Sequence, residues 1–111
     1  MARLSLEFRT PSFRLSEYLR EKAQTILEAG LAPHRDRLHR VVVRFGDQNG
    51  PKGGPDDKTC SITVEVPGHG PVFVEARAHS PRAALLGALG RIRTVLGRQA
   101  ARQRAFAPGV A

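Results

Sequence analysis

Four short segments of this chain present apolar side chains on one face and polar or charged ones on the other. They are residues 3–9, 40–45, 58–66 and 72–78. Such alternation, with a period of two, is typical of β-strands that bury one face. Because the opposite face of each segment is polar, we expect a four-stranded sheet that helices cover on one side only.

Two other segments carry apolar residues at helical spacing. The first, about Ser16 to Ala29, starts at a serine N-cap, and we expect Gly30 to end it. The second starts at Ser80-Pro81, the preferred pairing of an N-cap with a proline at the first helical position, and runs to about Arg104. We therefore predict two amphipathic helices.

The order of these elements predicts an α+β fold, β-α-β-β-β-α, with two helices packed on one face of a four-stranded sheet. Residues 31–39 are expected to be a linker, residues 46–57 a loop, and residues 67–71 a tight turn. The 111 residues suit one domain, with an ordered core at about 3–104 and a short tail at 105–111.

The charges are distributed unevenly along the chain. No acidic residue follows Glu75, but seven arginines do, and the net charge is +8. These are Arg77, Arg82, Arg91, Arg93, Arg98, Arg102 and Arg104. A block of one sign cannot neutralise itself, and its natural partner is a polyanion such as nucleic acid.

Arginine also outnumbers lysine, which occurs only at Lys22, Lys52 and Lys58. A guanidinium group binds phosphate through a planar fork and stacks on bases, which favours RNA or DNA as the partner. A GC-rich genome explains the same bias equally well, and the composition does not decide between the two.

Spacing of 100° per residue divides the arginines of the second helix into two rows beside its apolar stripe. Arg91, Arg98 and Arg102 form one row; Arg82, Arg93 and Arg104 form the other. An outer strip of small residues lies between the rows: Ala83, Gly87, Gly90, Thr94, Gly97 and Ala101. We predict RNA binding by both rows, with Lys22, Lys52 and Lys58 adding charge; a solvated helix is the alternative.

The sequence offers no arrangement for catalysis, for a metal or for a cofactor. The single cysteine, Cys60, falls in an alternating apolar pattern and is expected in the core. The four histidines lack metal-ligand spacing, and the glycine-rich stretch 46–54 lacks the Lys-Ser/Thr of a phosphate-binding loop. We expect no enzyme activity, no small-molecule substrate, no membrane segment and a cytoplasmic location.

Phe73 is expected on the open face of the sheet. Stacking on a nucleobase and packing against a neighbouring strand both remain open for this ring.

Within this order of elements the chain contains Ser16-Glu17-Tyr18-Leu19, Val64-Glu65-Val66-Pro67-Gly68, Ala83-Ala84-Leu85 and the stretch 46–54 followed by Asp57-Lys58-Thr59-Cys60. Together these stretches resemble the ribosome hibernation-promoting factor family, also called ribosome-associated inhibitor or sigma-54 modulation proteins. The resemblance covers about residues 3–104. The chain departs from the family pattern at Arg82, Leu86 and Gly90.

This resemblance implies binding to the small ribosomal subunit through its rRNA, with messenger and transfer RNA blocked in the decoding channel. It also places basic positions of the family on Arg91, Arg98 and Arg102. We expect a short-form translation inhibitor that stabilises idle ribosomes during stress. The alternative is a regulatory module that binds an acidic protein partner.

Overall fold

The computed structural model describes residues 6–9, 16–47 and 58–106, with side chains as far as residue 103. Its elements are β1 (Leu6–Arg9), α1 (Glu17–Leu31), a 3₁₀ helix (Ala32–Arg37), β2 (Arg40–Asp47), β3 (Lys58–Val66), β4 (Gly70–Ala78) and α2 (Pro81–Phe106). The predicted β-α-β-β-β-α order is confirmed. The predicted start of β1 at residues 3–5, the loop residues 48–57 and the tail beyond 106 lie outside the described residues.

The strands form one sheet in the order β1-β2-β3-β4. β1 runs parallel to β2, and the other two pairs are antiparallel. A parallel pair needs a crossover connection, which α1 and the 3₁₀ helix supply. The register aligns Phe8 with Val43, Val43 with Ile62, and Ile62 with Val74, so the inward side chains form continuous rows.

Both helices pack on the same face of this sheet, as predicted. One buried cluster joins Val43 and Ile62 of the sheet to Leu27 of α1 and to Leu85 and Ile92 of α2. Burying each such large side chain stabilises the fold by roughly 1.5–3 kcal/mol. The opposite face of the sheet has no helix among the described residues, and its side chains are mainly polar.

Serine residues cap both helices at their predicted starts. The Ser16 hydroxyl accepts a hydrogen bond from the backbone N–H of Leu19 (3.1 Å), and the Ser80 hydroxyl accepts one from the N–H of Ala83 (3.1 Å). Each bond satisfies a backbone donor of the first turn that has no partner within the helix.

The prediction that Gly30 ends the first helix is wrong. α1 continues to Leu31, and the expected linker 31–39 contains the 3₁₀ helix. A Cβ atom on Gly30 would lie 2.6 Å from Cδ2 of Leu89, so this glycine accommodates the Leu89 side chain where α1 approaches α2. The residue serves packing between helices rather than termination.

The tight turn between β3 and β4 is confirmed, and it depends on two glycines. Gly68 and Gly70 adopt positive φ values of 85° and 73°, which other residues rarely tolerate. Two strands are longer than predicted: β2 includes Gly46 and Asp47, and β4 begins at Gly70. α2 likewise extends to Phe106, past the expected end at Arg104.

Candidate nucleic-acid interface

Helix α2 lies across β3 and β4 and also contacts α1. Its buried face consists of Ala84, Leu85, Ala88, Leu89, Ile92 and Leu96. With 26 residues it spans about 39 Å at a rise of 1.5 Å per residue. This length carries the flanking arginines along the whole side of the domain.

The first predicted row, Arg91, Arg98 and Arg102, is exposed and lies on the β4 side of α2. Arg91 fixes that side, because its Nη1 donates a hydrogen bond to the backbone carbonyl of Glu75 on β4 (2.9 Å). β4 is an edge strand of the sheet. The contact therefore orients one guanidinium group at the sheet edge and leaves its other donors directed elsewhere.

The second predicted row lies on the side of α2 that faces the 3₁₀ helix. Arg82 and Arg93 are exposed. The Arg104 backbone belongs to α2, but its side chain lies outside the described residues. Arg93 borders an open cavity of 530 Å³ whose walls also include Pro33, His34, Gly90 and Thr94.

The pKa of His34 indicates the electrostatic potential in that cavity. Partial burial lowers the pKa of its imidazole below 6.5, and the nearby positive charges of Arg37 and Arg93 lower the pKa further. Protonated His34 is therefore disfavoured in this cavity. An anion bound beside Arg93 would raise the pKa of His34.

In the described part of the chain, no arginine of α2 lies within 4.0 Å of a carboxylate oxygen. Two carboxylates of the sheet form ion pairs with bases of the sheet: Glu7 with Arg9 and Arg40, and Asp47 with Lys58. Hydrogen bonds from Arg40 and then Arg9 lower the pKa of the Glu7 carboxyl. These two carboxylates therefore offset bases of the sheet and not the arginines of α2.

The outer strip of small residues is only partly as predicted. Gly90 and Gly97 face open space, as expected. Gly87 differs, because a Cβ atom at this position would lie 3.1 Å from the Cβ of Ala76 on β4. Gly87 therefore permits close packing of α2 on the sheet edge, and the open strip is narrower than the sequence indicated.

Of the three lysines, Lys22 and Lys58 have described positions, and both contact residues outside α2. The Lys22 ammonium on α1 lies 5.7 Å from the centroid of the Tyr18 ring. Lys58 is half-buried and lies 2.8 Å from the Asp47 carboxylate. Lys52 lies outside the described residues. Their part in RNA binding stays a prediction.

Sequence reasoning missed the importance of Arg37 and Arg44. Arg37, in the 3₁₀ helix, donates to the backbone carbonyl of Leu96 (3.4 Å) and so connects that helix to α2. Arg44 projects from the open sheet face beside Ser61, its partner in register on β3. Neither contact leaves a signal in the sequence, because each depends on how distant segments pair.

Two further predictions concern chemistry. Cys60 is fully buried, as expected, and burial raises the pKa of its thiol to about 12. Among the residues with described positions, no group of three His, Cys, Asp or Glu side chains is placed to hold a metal ion. No helix in this same part of the chain has the length and apolar character to cross a membrane.

Fold and site together define a class: a small α+β domain that presents an arginine-lined C-terminal helix beside an open sheet. A comparison with family models finds no match, and a comparison with curated proteins finds none.

Solved structures do match. A ribosomal subunit interface protein from Coxiella burnetii is similar, with a TM-score of 0.75 and 17% sequence identity over 88% of this chain and 99% of that chain. The N-terminal domain of Protein Y from Thermus thermophilus is also similar, with a TM-score of 0.66 and 20% identity over 87% of this chain and 98% of that one. This chain has their fold, which confirms the fold that the resemblance implies.

Proposed function

We propose that this chain is a non-enzymatic, ribosome-binding factor that binds rRNA of the small subunit through α2. One observation carries the proposal: five exposed arginines flank α2, and no carboxylate oxygen lies within 4.0 Å of them among the residues described. The fold shared with a ribosomal subunit interface protein supports the same assignment.

Phosphate is the ligand that suits this helix best. Each guanidinium presents several donors in a plane that matches two phosphate oxygens, and binding releases the counterions of the RNA. The logarithm of affinity then falls linearly with the logarithm of salt concentration, by roughly 0.7–0.9 for every phosphate neutralised. Open space over Gly90 and Gly97 lets a sugar–phosphate backbone approach α2 between the two rows.

The biological consequence is translation inhibition. A domain held on the small subunit by this helix occupies the decoding channel and excludes messenger and transfer RNA, which keeps idle ribosomes intact during stress. This role needs no cofactor and no small-molecule substrate, and it is exercised in the cytoplasm. The competing function, binding of an acidic protein, predicts no association with ribosomal particles.

Sedimentation with purified small subunits at several salt concentrations tests the proposal. We expect the wild-type chain to co-sediment at low salt and to dissociate at high salt. The variant Arg91→Gln/Arg98→Gln/Arg102→Gln should bind at least about tenfold more weakly, with its salt slope reduced by about 2–3.

A matched control removes the same number of charges elsewhere: Arg9→Gln/Arg20→Gln/Arg40→Gln. These exposed arginines lie on β1, α1 and β2, so this variant should bind within about threefold of the wild type. Equal losses in the two triple variants would mean that net charge alone drives the association. Absence of the wild type from the subunit fraction at low salt would refute ribosome binding.

A further inference from the structure

The open face of the sheet contains a depression of 320 Å³ that none of the described helices covers. Its walls are Val42, Arg44, Ser61, Thr63, Phe73 and Glu75. The strand register arranges them in two parallel rows, Val42–Thr63–Phe73 and Arg44–Ser61–Glu75. An apolar and aromatic row thus lies beside a row that carries a cation, a hydroxyl and a carboxylate.

Phe73 is the unusual member of the first row. Its side chain is 63% exposed, on a face where most neighbours are polar. Its cross-strand partner, Thr63, covers little of an aromatic ring. Burying the ring against a ligand would remove apolar area from water, and aromatic rings offer a stacking surface to any nucleobase.

The depression adjoins the first arginine row directly. Arg91 donates to the backbone carbonyl of Glu75, and the side chain of that same residue lines the depression. An RNA strand with phosphates along Arg91, Arg98 and Arg102 therefore reaches the edge of β4 at the point where Phe73 and Glu75 begin the open face.

We propose that this depression binds one unpaired guanine of that RNA strand, stacked on Phe73, an inference that rests on the proposed function. A carboxylate has acceptors only, and guanine is the base whose Watson–Crick edge presents two adjacent donors, N1–H and the N2 amino group. Glu75 accepts from both donors. Arg44, on the opposite side of Ser61, contacts the adjoining phosphate.

The charge pattern favours RNA over an acidic peptide as the occupant. A peptide rich in Asp and Glu would meet the carboxylate of Glu75 inside the depression, where like charges repel. A nucleotide separates its negative phosphate from a neutral base, which matches the separation of Arg44 from Glu75 across the polar row.

Fluorescence anisotropy with two labelled hexamers at fixed salt tests the inference. One is a uridine hexamer with a single internal guanosine; the other has adenosine at that position. The wild-type chain should bind the guanosine strand about tenfold more tightly, because only guanine donates two hydrogen bonds to Glu75. Phe73→Leu, which keeps an apolar side chain next to Thr63, should lose about tenfold in affinity, whereas Phe73→Trp should retain it.

Glu75→Gln is the second arm, because an amide offers one donor and one acceptor and no longer matches guanine. This variant should lose the preference for the guanosine strand, with the salt slope of the wild type. A Phe73→Leu variant within twofold of the wild type, or a guanosine preference that survives Glu75→Gln, overturns the inference. Failure of the proposed function is seen separately, as loss of wild-type co-sedimentation with small subunits.

Discussion

At the scale of single residues, glycine lies in two different environments in the helices, at Gly30 and at Gly90. Gly30 faces Leu89, with three side-chain carbons within 3.1 Å of an added Cβ, whereas Gly90 faces open space. Alanine favours a helix over glycine by about 1 kcal/mol, but overpacking a filled site costs about 1–3 kcal/mol. We expect Gly30→Ala to lower the free energy of unfolding by about 1 kcal/mol and Gly90→Ala to raise it by up to about 1 kcal/mol.

Urea denaturation of the two variants beside the wild type measures both changes. Gly90→Ala is the matched control, since it makes the same substitution at a helical position where no atom lies within 4 Å of the added Cβ. If Gly30→Ala were as stabilising as Gly90→Ala, then Leu89 would adjust without cost and Gly30 would not govern how α1 packs on α2.

Cys60 gives a second prediction at this scale. Its side chain is fully buried, and its thiol has a pKa of about 12, so little reactive thiolate forms at neutral pH. We expect the native chain to resist a thiol reagent at pH 8 and to react once urea unfolds it. Fast labelling of the native chain at a rate independent of urea would show that β3 opens locally around this residue.

Residue-level prediction from sequence succeeded where one local pattern decides the outcome, as for Cys60 in an alternating strand. It failed where the deciding neighbour is remote. Gly30 resembles a helix stop until Leu89, far along the chain, is placed against it. The pairing of Lys58 with Asp47, its partner across β2 and β3, is likewise evident only from the register, and a role of Lys58 in RNA binding stays a prediction.

At the scale of elements, α2 begins with an unfavourable charge. Its first turn contains Arg82 and no acidic residue, so a cation lies at the positive end of the helix dipole. We expect Arg82→Glu to stabilise the domain by about 0.5–1 kcal/mol and to weaken binding to RNA, because this arginine belongs to the second row. Thermal unfolding and small-subunit sedimentation measure the two effects.

The same reversal of charge, from arginine to glutamate, near the other end of the helix serves as a control. At Arg102, a cation lies near the negative end of the dipole, so Arg102→Glu should not stabilise the domain. If the melting temperature rose for both variants, the gain in stability would come from the lower net charge and not from the helix dipole.

The arginine rows were predictable because rotation about a helix has one fixed period, and Arg91, Arg98 and Arg102 share a side at any orientation of α2. Which side of the domain each row faces was not predictable. The contact between Arg91 and the carbonyl of Glu75 depends on α2 lying across β4, which a helical wheel does not contain. Gly87 was misplaced for the same reason.

At the scale of the whole molecule, opposite faces have different electrostatic character. Glu7 pairs with Arg9 and Arg40 on the sheet, and Asp47 pairs with Lys58, whereas α2 has no acidic residue at all. Ion pairs of the exposed kind add little stability, so their main effect is electrostatic: they offset Arg9, Arg40 and Lys58 on the sheet, whereas the α2 arginines have no such partner among the described residues. A polyanion is therefore attracted to the side of the domain that presents α2 more strongly than to the sheet.

His34 is expected to link stability to pH and to binding, because this residue of the 3₁₀ helix borders the cavity beside α2, with Arg37 and Arg93 nearby. Its pKa in the folded chain is below 6.5, so the unfolded chain takes up a proton first as the pH falls. The contribution of His34 to the free energy of unfolding should therefore decrease from pH 6.5 down to the lowered pKa of His34, and this contribution should not change further below it. His34→Gln should remove this part of the pH dependence.

Phosphates bound beside Arg93 should act in the opposite direction, because a nearby anion favours the protonated imidazole. An NMR titration of His34, alone and with a uridine hexamer, should give a higher pKa in the bound state and tighter binding below pH 6.5. A pKa of His34 that does not change on binding would place the RNA away from Arg93 and leave the row of Arg91, Arg98 and Arg102 as the one that binds it.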